Sequence, residues 1–273
     1  MFDHFLITRF NLKSAEWKVS RSGKQVLTDD WLKYRFYLFE KFTLPSVLNQ
    51  SCTNFRWLIY FDIDTPDIYL KRAIVLNEHP SISVFFIRGM NVFLKEIISS
   101  IEQLKDPSKL FLITTRLDND DLIHRDFIKK IQESFIPESG TLIDLRRGYQ
   151  LNLEKNGKSS VRHFFDFYTH YLSLIEYSLG FKTIFSRIID DWQLEKRVIV
   201  QHEHPLFIET VHGENLVNTM KSHQPYLLNF RGADFGIEPK TLRLRSFFWV
   251  IIKNRTYYLK RIRLISKSRK LKI

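Results

Sequence analysis

The run Thr114-Thr115-Arg116-Leu117-Asp118-Asn119-Asp120-Asp121 holds the densest chemistry in the chain. Two carboxylates one residue apart, Asp118 and Asp120, can address one hard divalent cation, Mn or Mg, with phosphate oxygens and water completing its shell. Such an ion neutralises a diphosphate and stabilises it as a leaving group. The planar fork of Arg116 offers donors to a base, a ribose or a phosphate. Helix capping is the competing reading, because carboxylates are favoured at an N-cap and in a first turn. One aspartate needs no more than that, but three in four residues after an apolar strand do.

These side chains need a scaffold. Leu110 to Thr115 reads as a buried strand, and so do His4 to Arg9, Arg56 to Phe61 (ending in Asp62) and Ile82 to Ile87. Thr28 offers an N-cap before a helix from about Trp31 to Phe42, which Pro45 is expected to break or restart. Asp67 to Leu76, Phe93 to Leu104 and Asp126 to Phe135 read as helices, and Thr141 to Leu153 as a strand pair or hairpin. After Asp166 the pattern loses its clarity. Alternating strands and helices predict an α/β fold with a largely parallel sheet. Ligands of such sheets bind beyond the carboxyl ends of the strands. Three predicted strand ends carry polar groups there: Thr8 and Arg9, Asp62, and Arg116 to Asp121.

Composition narrows the choices. Glycine is scarce, at 9 of 273 residues, and neither G-x-G-x-x-G nor G-x-x-x-x-G-K-[ST] occurs, so a glycine loop cannot cradle phosphate. The single cysteine, Cys52, excludes an internal disulfide framework and a cysteine zinc site. A reducing compartment is expected, no signal peptide is visible, and the chain reads as cytoplasmic. The formal charge is +12, yet Lys240 to Ile273 holds twelve Lys or Arg and no acid, so residues 1–239 are formally neutral. This divides the chain into a catalytic domain, 1–239, and a basic amphipathic tail, 240–273.

The acidic string resembles the D-x-D region of GT-A glycosyltransferases, most closely that of the bacterial rhamnosyltransferase family. The likeness extends in order along the chain. It includes His4 to Asn11, Leu44-Pro45-Ser46-Val47 with Gln50, Phe55 to Asp62 with Thr65-Pro66, Ser173-Leu174-Ile175-Glu176, and Pro205 to Asn215 with its H-G-x-N segment. Phe207 departs from the pattern, where tryptophan is expected. The resemblance implies a GT-A-like single domain with a mainly parallel, mixed central sheet flanked by helices. It implies a nucleotide-diphosphate sugar donor over Thr8, Arg9, Asp62, Arg116 and Asp118. Asp118 would lie near the ribose and beside the metal, Asp120 would bind the metal, and His212 would be its second protein ligand or a diphosphate contact. A β-linked donor such as nucleotide-rhamnose implies inversion, with a carboxylate as base for the acceptor hydroxyl. Asp166, Glu176, Asp190 and Asp191 are candidates. Glu176 is favoured because apolar neighbours raise its basicity, with Asp191 second.

Other readings compete. Asp62-Ile63-Asp64-Thr65 matches the nucleophile motif of haloacid-dehalogenase-type phosphatases, with Asp62 attacking phosphorus and Asp64 as acid and base. It follows an earlier strand and precedes Pro66, which weakens the match. His202-Glu203-His204 reads as a polar edge or loop. The tail reads as a helix with Phe248, Ile251, Ile252, Tyr258, Leu259, Ile262 and Ile265 on one face. It suits an anionic membrane surface and an enzyme with a glycan or lipid-linked acceptor, peripheral on the inner face of the membrane; docking onto the protein's own core and docking onto a partner subunit are the competing readings. A non-enzymatic basic binding protein is the remaining alternative. No nucleic acid is expected, because no recognised module is present and the sheet rim is acidic.

Overall fold

Short apolar runs form the sheets and longer periodic segments the covering helices. The computed structural model describes residues 1–14, 25, 27–213, 219–221 and 224–270. β1 (Phe2–Arg9) is followed by α1 (Asp29–Leu38), a π-helical turn (Phe39–Thr43) and α2 (Leu44–Leu48). Next come β2 (Arg56–Asp62), α3 (Asp67–Val75), β3 (Ile82–Ile87), α4 (Phe93–Leu104) and β4 (Phe111–Arg116). Then follow β5 (Leu122–Ile123), α5 (Phe127–Glu133), β6 (Thr141–Leu145), β7 (Arg147–Leu153) and β8 (Ser159–Phe165). β9 (Ser173–Tyr177), β10 (Val198–Gln201), β11 (Phe207–Val211) and α6 (Phe247–Lys270) complete the chain.

Seven strands form the main sheet in the order β10-β6-β9-β4-β1-β2-β3, and only β9 runs against its neighbours. The expectation of a mainly parallel mixed sheet flanked by helices is met. The two faces follow the alternation of side chains along each strand. Leu6, Trp57, Ile59, Phe61 and Ile113 pack under α1, α3 and α5, whereas Phe5, Ile7, Leu58, Tyr60 and Leu112 pack under α4. Trp57 through Phe61 are wholly buried, as a strand covered on both faces requires. Because β1, β2 and β4 are parallel, Arg9, Asp62 and Arg116 emerge at one rim. β1 lies between β4 and β2, so the strand order reverses beside Arg9 and Arg116, where such sheets open a ligand crevice.

A second sheet, β5-β11-β7-β8, stands beside the first. Thr141 to Leu153 forms two strands but no hairpin, because β6 joins the main sheet and β7 the second one. Of the two roles open to Pro45, breaking or restarting the helix, it takes the second. The π-helical turn comes just before it, with the Leu44 N–H donating to the Phe39 carbonyl, and Pro45 starts α2, where its missing N–H costs least.

The tail is helical as expected. Residues before it pair with β8, since Ser159 N–H donates to Arg243 and Arg245 N–H to Ser159. Val250 and Asn254 are buried, and the Asn254 amide exchanges hydrogen bonds with the Tyr226 backbone. Phe248, Ile251, Ile252, Tyr258 and Leu259 remain exposed. Ile262 and Ile265 lie outside the described side chains. No helix among the described residues is long and apolar enough to cross a membrane.

Candidate active site at the sheet rim

The acidic string caps no helix. β5 separates it from α5, which begins only at Phe127. Antiparallel pairing of Leu122 with Ile208 instead draws Asp121 and Asp120 alongside Glu209 and Thr210 of β11. Asp121 is buried and accepts from the Thr210 N–H at 2.9 Å and from the Tyr171 hydroxyl at 2.8 Å. Burial pushes its carboxyl well up, and Asp120, Asp118 and Glu209 add to that. Tyr171 is itself held by Phe207, stacked on it at 3.9 Å, so the departure at Phe207 still supplies an aromatic support for the loop.

Asp120 does different work. Its Oδ2 lies 2.6 Å from Arg35 Nη1 and 2.9 Å from His212 Nε2, with all three side chains nearly enclosed. Burial would raise its carboxyl, but Arg35 and then His212 hold it down at about 2. It is a fixed anion at working pH. Arg35 also donates to the Asn119 side-chain oxygen at 3.0 Å, and Asn119 donates to the Phe10 carbonyl, which fastens the loop to the β1 exit. Glu209, a buried neighbour of this cluster on β11, accepts from Gln150. Desolvation moves its carboxyl up to about 7.

Asp118 is half-buried and stands with the arginines. Its charge opposes the desolvation that lowers Arg9, and in Arg116 it opposes both desolvation and the repulsion of Arg9, which bring that guanidinium to about 10. The two guanidiniums share one aromatic ring: Arg9 Cζ lies 5.1 Å and Arg116 Cζ 4.9 Å from the Phe185 centroid. Arg116 is 6% exposed, and its Nε has no acceptor among the described residues. Arg116, buried with an open Nε donor, and half-buried Arg9 set two guanidiniums at the rim, a grouping that suits an anion.

Three expected site residues are placed otherwise. The Thr8 hydroxyl is fully buried on the opposite face and accepts from the Trp57 indole, so it cannot reach a donor. Asp62 accepts from the Lys13 and Asp64 N–H groups and is 2% exposed, which makes it a clamp between the β1 and β2 exits. The same contacts argue against a phosphatase nucleophile, with Thr65 donating to the Asp62 carbonyl and Asn11 to Thr65. Glu176 pairs with Leu112, towards the far end of β4 from Arg116, and accepts from the Lys182 and Thr183 N–H groups. It shapes that turn and does not stand at the rim.

Asp191 is exposed on a short 3-10 helix, Asp190–Leu194, whose Trp192 packs against Leu172 and Ile184. The Leu172 carbonyl accepts from Arg116 N–H, so this helix is anchored at the rim end of β4.

For a cation, the donors that meet are Asp120 and His212. Among the described residues, no three His, Cys, Asp or Glu side chains form a cage, and Asp118 does not close one with this pair. An oxygen and an imidazole nitrogen suit a manganese-like ion, whose remaining positions phosphate and water can fill. The donor types suit that ion, while in this structure the two bond each other and Arg35 is paired with the same carboxylate oxygen.

Sequence reasoning missed Arg35, Glu209 and Phe185. Arg35 had a signal: it lies in the apolar stripe with Trp31, Leu38 and Phe42, where a cation needs a buried partner. Glu209 interrupts an apolar strand in the same way. Phe185 had none.

The chain matches the family model described as "putative rhamnosyl transferase" over residues 3–224. Solved structures similar to it include S. aureus TarS residues 1–349, at 12% identity and TM-score 0.43, covering 76% of this chain and 60% of that one. The same TarS segment in complex with UDP-GlcNAc is 12% identical, with TM-score 0.42 and coverages of 78% and 60%. HddC from Yersinia pseudotuberculosis is 14% identical, with TM-score 0.36 and coverages of 77% and 93%. The alignment thus spans only 60% of the TarS segment's length. Curated proteins give no match. The family match runs through every strand that builds the rim, and this chain belongs to the glycosyltransferase family described as putative rhamnosyl transferases.

Proposed function

We propose that the chain moves a sugar from a nucleoside-diphosphate donor, lying across the rim, to a hydroxyl of a glycan or lipid-linked acceptor, with inversion at the anomeric carbon. The observation that carries this reading is the charge order along the rim. Buried Arg116 and half-buried Arg9 set two guanidiniums over one ring, Asp118 stands beside them, and Asp120 is fixed by Arg35 and His212. A nucleoside diphosphate carries the matching groups: phosphates for the guanidiniums and ribose hydroxyls for the carboxylate. Asp120 and His212 would hold a manganese or magnesium ion, which when bound neutralises the diphosphate.

Of the expected carboxylates, Asp190 and Asp191 are exposed on the helix anchored at the rim end of β4, and Asp191 is assigned as the base. In the reaction the acceptor oxygen gives its proton to this carboxylate and bonds to the anomeric carbon. The bond from that carbon to the diphosphate oxygen breaks, and the nucleotide leaves with the electron pair. Rhamnose is the first donor sugar to test, on the family's description. The exposed apolar face of α6, with the twelve basic residues from Lys240 onward, is proposed to rest on an anionic cytoplasmic membrane surface.

A thermal-shift panel of nucleotide-sugars, dTDP-rhamnose included, with and without manganese, tests the donor reading. One donor should raise the melting temperature by about 5 °C at saturation, and Arg116→Ala should abolish the rise. If the whole panel leaves the wild-type melt unmoved, the reading fails.

A further inference from the structure

A second cleft, of about 560 Å³, opens beside the Asp120–His212 pair. Tyr34, Tyr37, Lys155, Lys158, Thr241 and Leu242 line it. The Tyr34 ring meets the His212 imidazole edge-on at 5.2 Å, so the cleft shares a wall with the candidate metal pair. Lys155 closes the gap further, since its aliphatic stem crosses within 3.8 Å of where a side chain on Gly213 would begin.

Its lining is chemically selective. The Tyr34 and Tyr37 rings lie nearly parallel, 17° apart with centroids at 6.2 Å, and offer a broad aromatic wall. Flat aromatic surfaces of this type suit the C–H face of a pyranose, while the phenol groups address its hydroxyls. Lys155 and Lys158 are exposed, and neither makes an ion pair among the described residues. The nearby carboxylate of Glu154 is already engaged by Arg245. Compact ammonium groups beside an aromatic wall select an anion attached to a sugar, and phosphate is the anion they suit best as point charges.

We infer that this cleft is the acceptor subsite and that the acceptor is a saccharide bearing a phosphate or diphosphate. This deepens the glycosyltransferase reading and rests on it. The location agrees with the chemistry, because Thr241 and Leu242 stand at the root of the basic tail. A sugar diphosphate carried on a membrane lipid would reach the cleft along the same surface that α6 faces.

The test uses the full chain and three probes: N-acetylglucosamine 1-phosphate, N-acetylglucosamine and inorganic phosphate. Calorimetric titration should show the sugar phosphate binding more tightly than either part. Lys155→Ala with Lys158→Ala should weaken it by about tenfold, and Tyr37→Ala should weaken it while leaving inorganic phosphate unaffected. All three positions are exposed, so the variants should melt like the wild type. Vesicles of phosphatidylglycerol, offered as competitor, separate a sugar phosphate from a lipid headgroup: they should not displace the probe. Equal affinity for inorganic phosphate and sugar phosphate, displacement by the vesicles, or indifference to the lysine changes would each overturn the inference. Donor binding measured on the same variants separates the two readings. If nucleotide-sugars bind and the cleft changes do nothing, only the acceptor assignment falls. If no nucleotide-sugar binds the wild type, the transferase reading falls with it.

Discussion

Asp118 and Asp120 are two residues apart, yet their surroundings assign them different work. Asp120 is enclosed and shared by Arg35 and His212, whereas Asp118 is half-buried and feels the two rim arginines. Removing one partner of a buried ion pair leaves the other charge uncompensated, so Asp120→Asn should cost about 3 kcal/mol of stability. Asp118→Asn should change stability by no more than about 0.5 kcal/mol, while donor affinity falls about tenfold. Urea melts paired with donor titrations check both. Equal stability losses in the two variants would contradict the division of roles. The acidic string was legible because its residue types are rare after an apolar strand. Its companions were not: Arg35 lies 85 positions before Asp120 and His212 lies 92 after it, and only folding joins them.

Helices and strands place these groups, and two contacts expose how. His4 on β1 bonds Thr115 on β4 at 2.9 Å, with the Gln132 amide of α5 at its other nitrogen. Burial drives this imidazole from 6.5 down to about 3, so the folded state holds it neutral. An unfolded chain takes up the proton first, and stability is therefore lost as pH falls from about 6.5 towards 3. At pH 5 the loss from this group is about 2 kcal/mol. His4→Gln should remove that part of the acid sensitivity in urea melts at pH 7 and pH 5, and an unchanged pH dependence would count against it. Gly148 supports the other side of the rim. A side chain there would press on the Phe207 ring, which stacks on Tyr171, which in turn bonds Asp121. Gly148→Ala should cost about 2 kcal/mol through overpacking, read as a lower melting temperature; an unchanged melt would mean that Phe207 yields without strain.

The same scale shows where sequence patterns are informative. β3 and α4 occupy the ranges expected, because each is a long enough run of one period between clear breaks. β5 has two residues and no period at all, yet its pairing with β11 brings His212 to Asp120. In the sequence β9 stands out only as an S-L-x-E string. As a strand flanked by β4 and β6 and buried on both faces over Ser173 to Glu176, it lacks the apolar–polar alternation that marks an element in sequence. That gap also explains the misplacement of Glu176, whose distance from the rim follows from the antiparallel direction of β9.

Across the whole molecule, charge and apolar exposure gather at one end. Twelve basic residues follow residue 239 over a formally neutral remainder, and Phe248 and Ile252 on α6 are 76% and 68% exposed. Val250 and Asn254 face the domain, so the helix is anchored while its opposite side stays open. Vesicles containing phosphatidylglycerol should sediment the chain, neutral vesicles should not, and salt should weaken the binding. Phe248→Asp with Ile252→Asp should release it with no change in melting temperature. Equal binding to neutral vesicles would remove the electrostatic part of the argument.

The central claim is that the rim holds a nucleoside-diphosphate sugar between the arginine pair and the Asp120–His212 pair. Calorimetric titration of the best nucleotide-sugar from the panel tests it most directly, in wild type, Arg116→Ala and Asp62→Asn. Donor binding should be lost in Arg116→Ala, and Asp62→Asn, which alters a clamp outside the pocket, should bind with nearly wild-type affinity in protein that remains folded. Undiminished binding by Arg116→Ala would contradict the account.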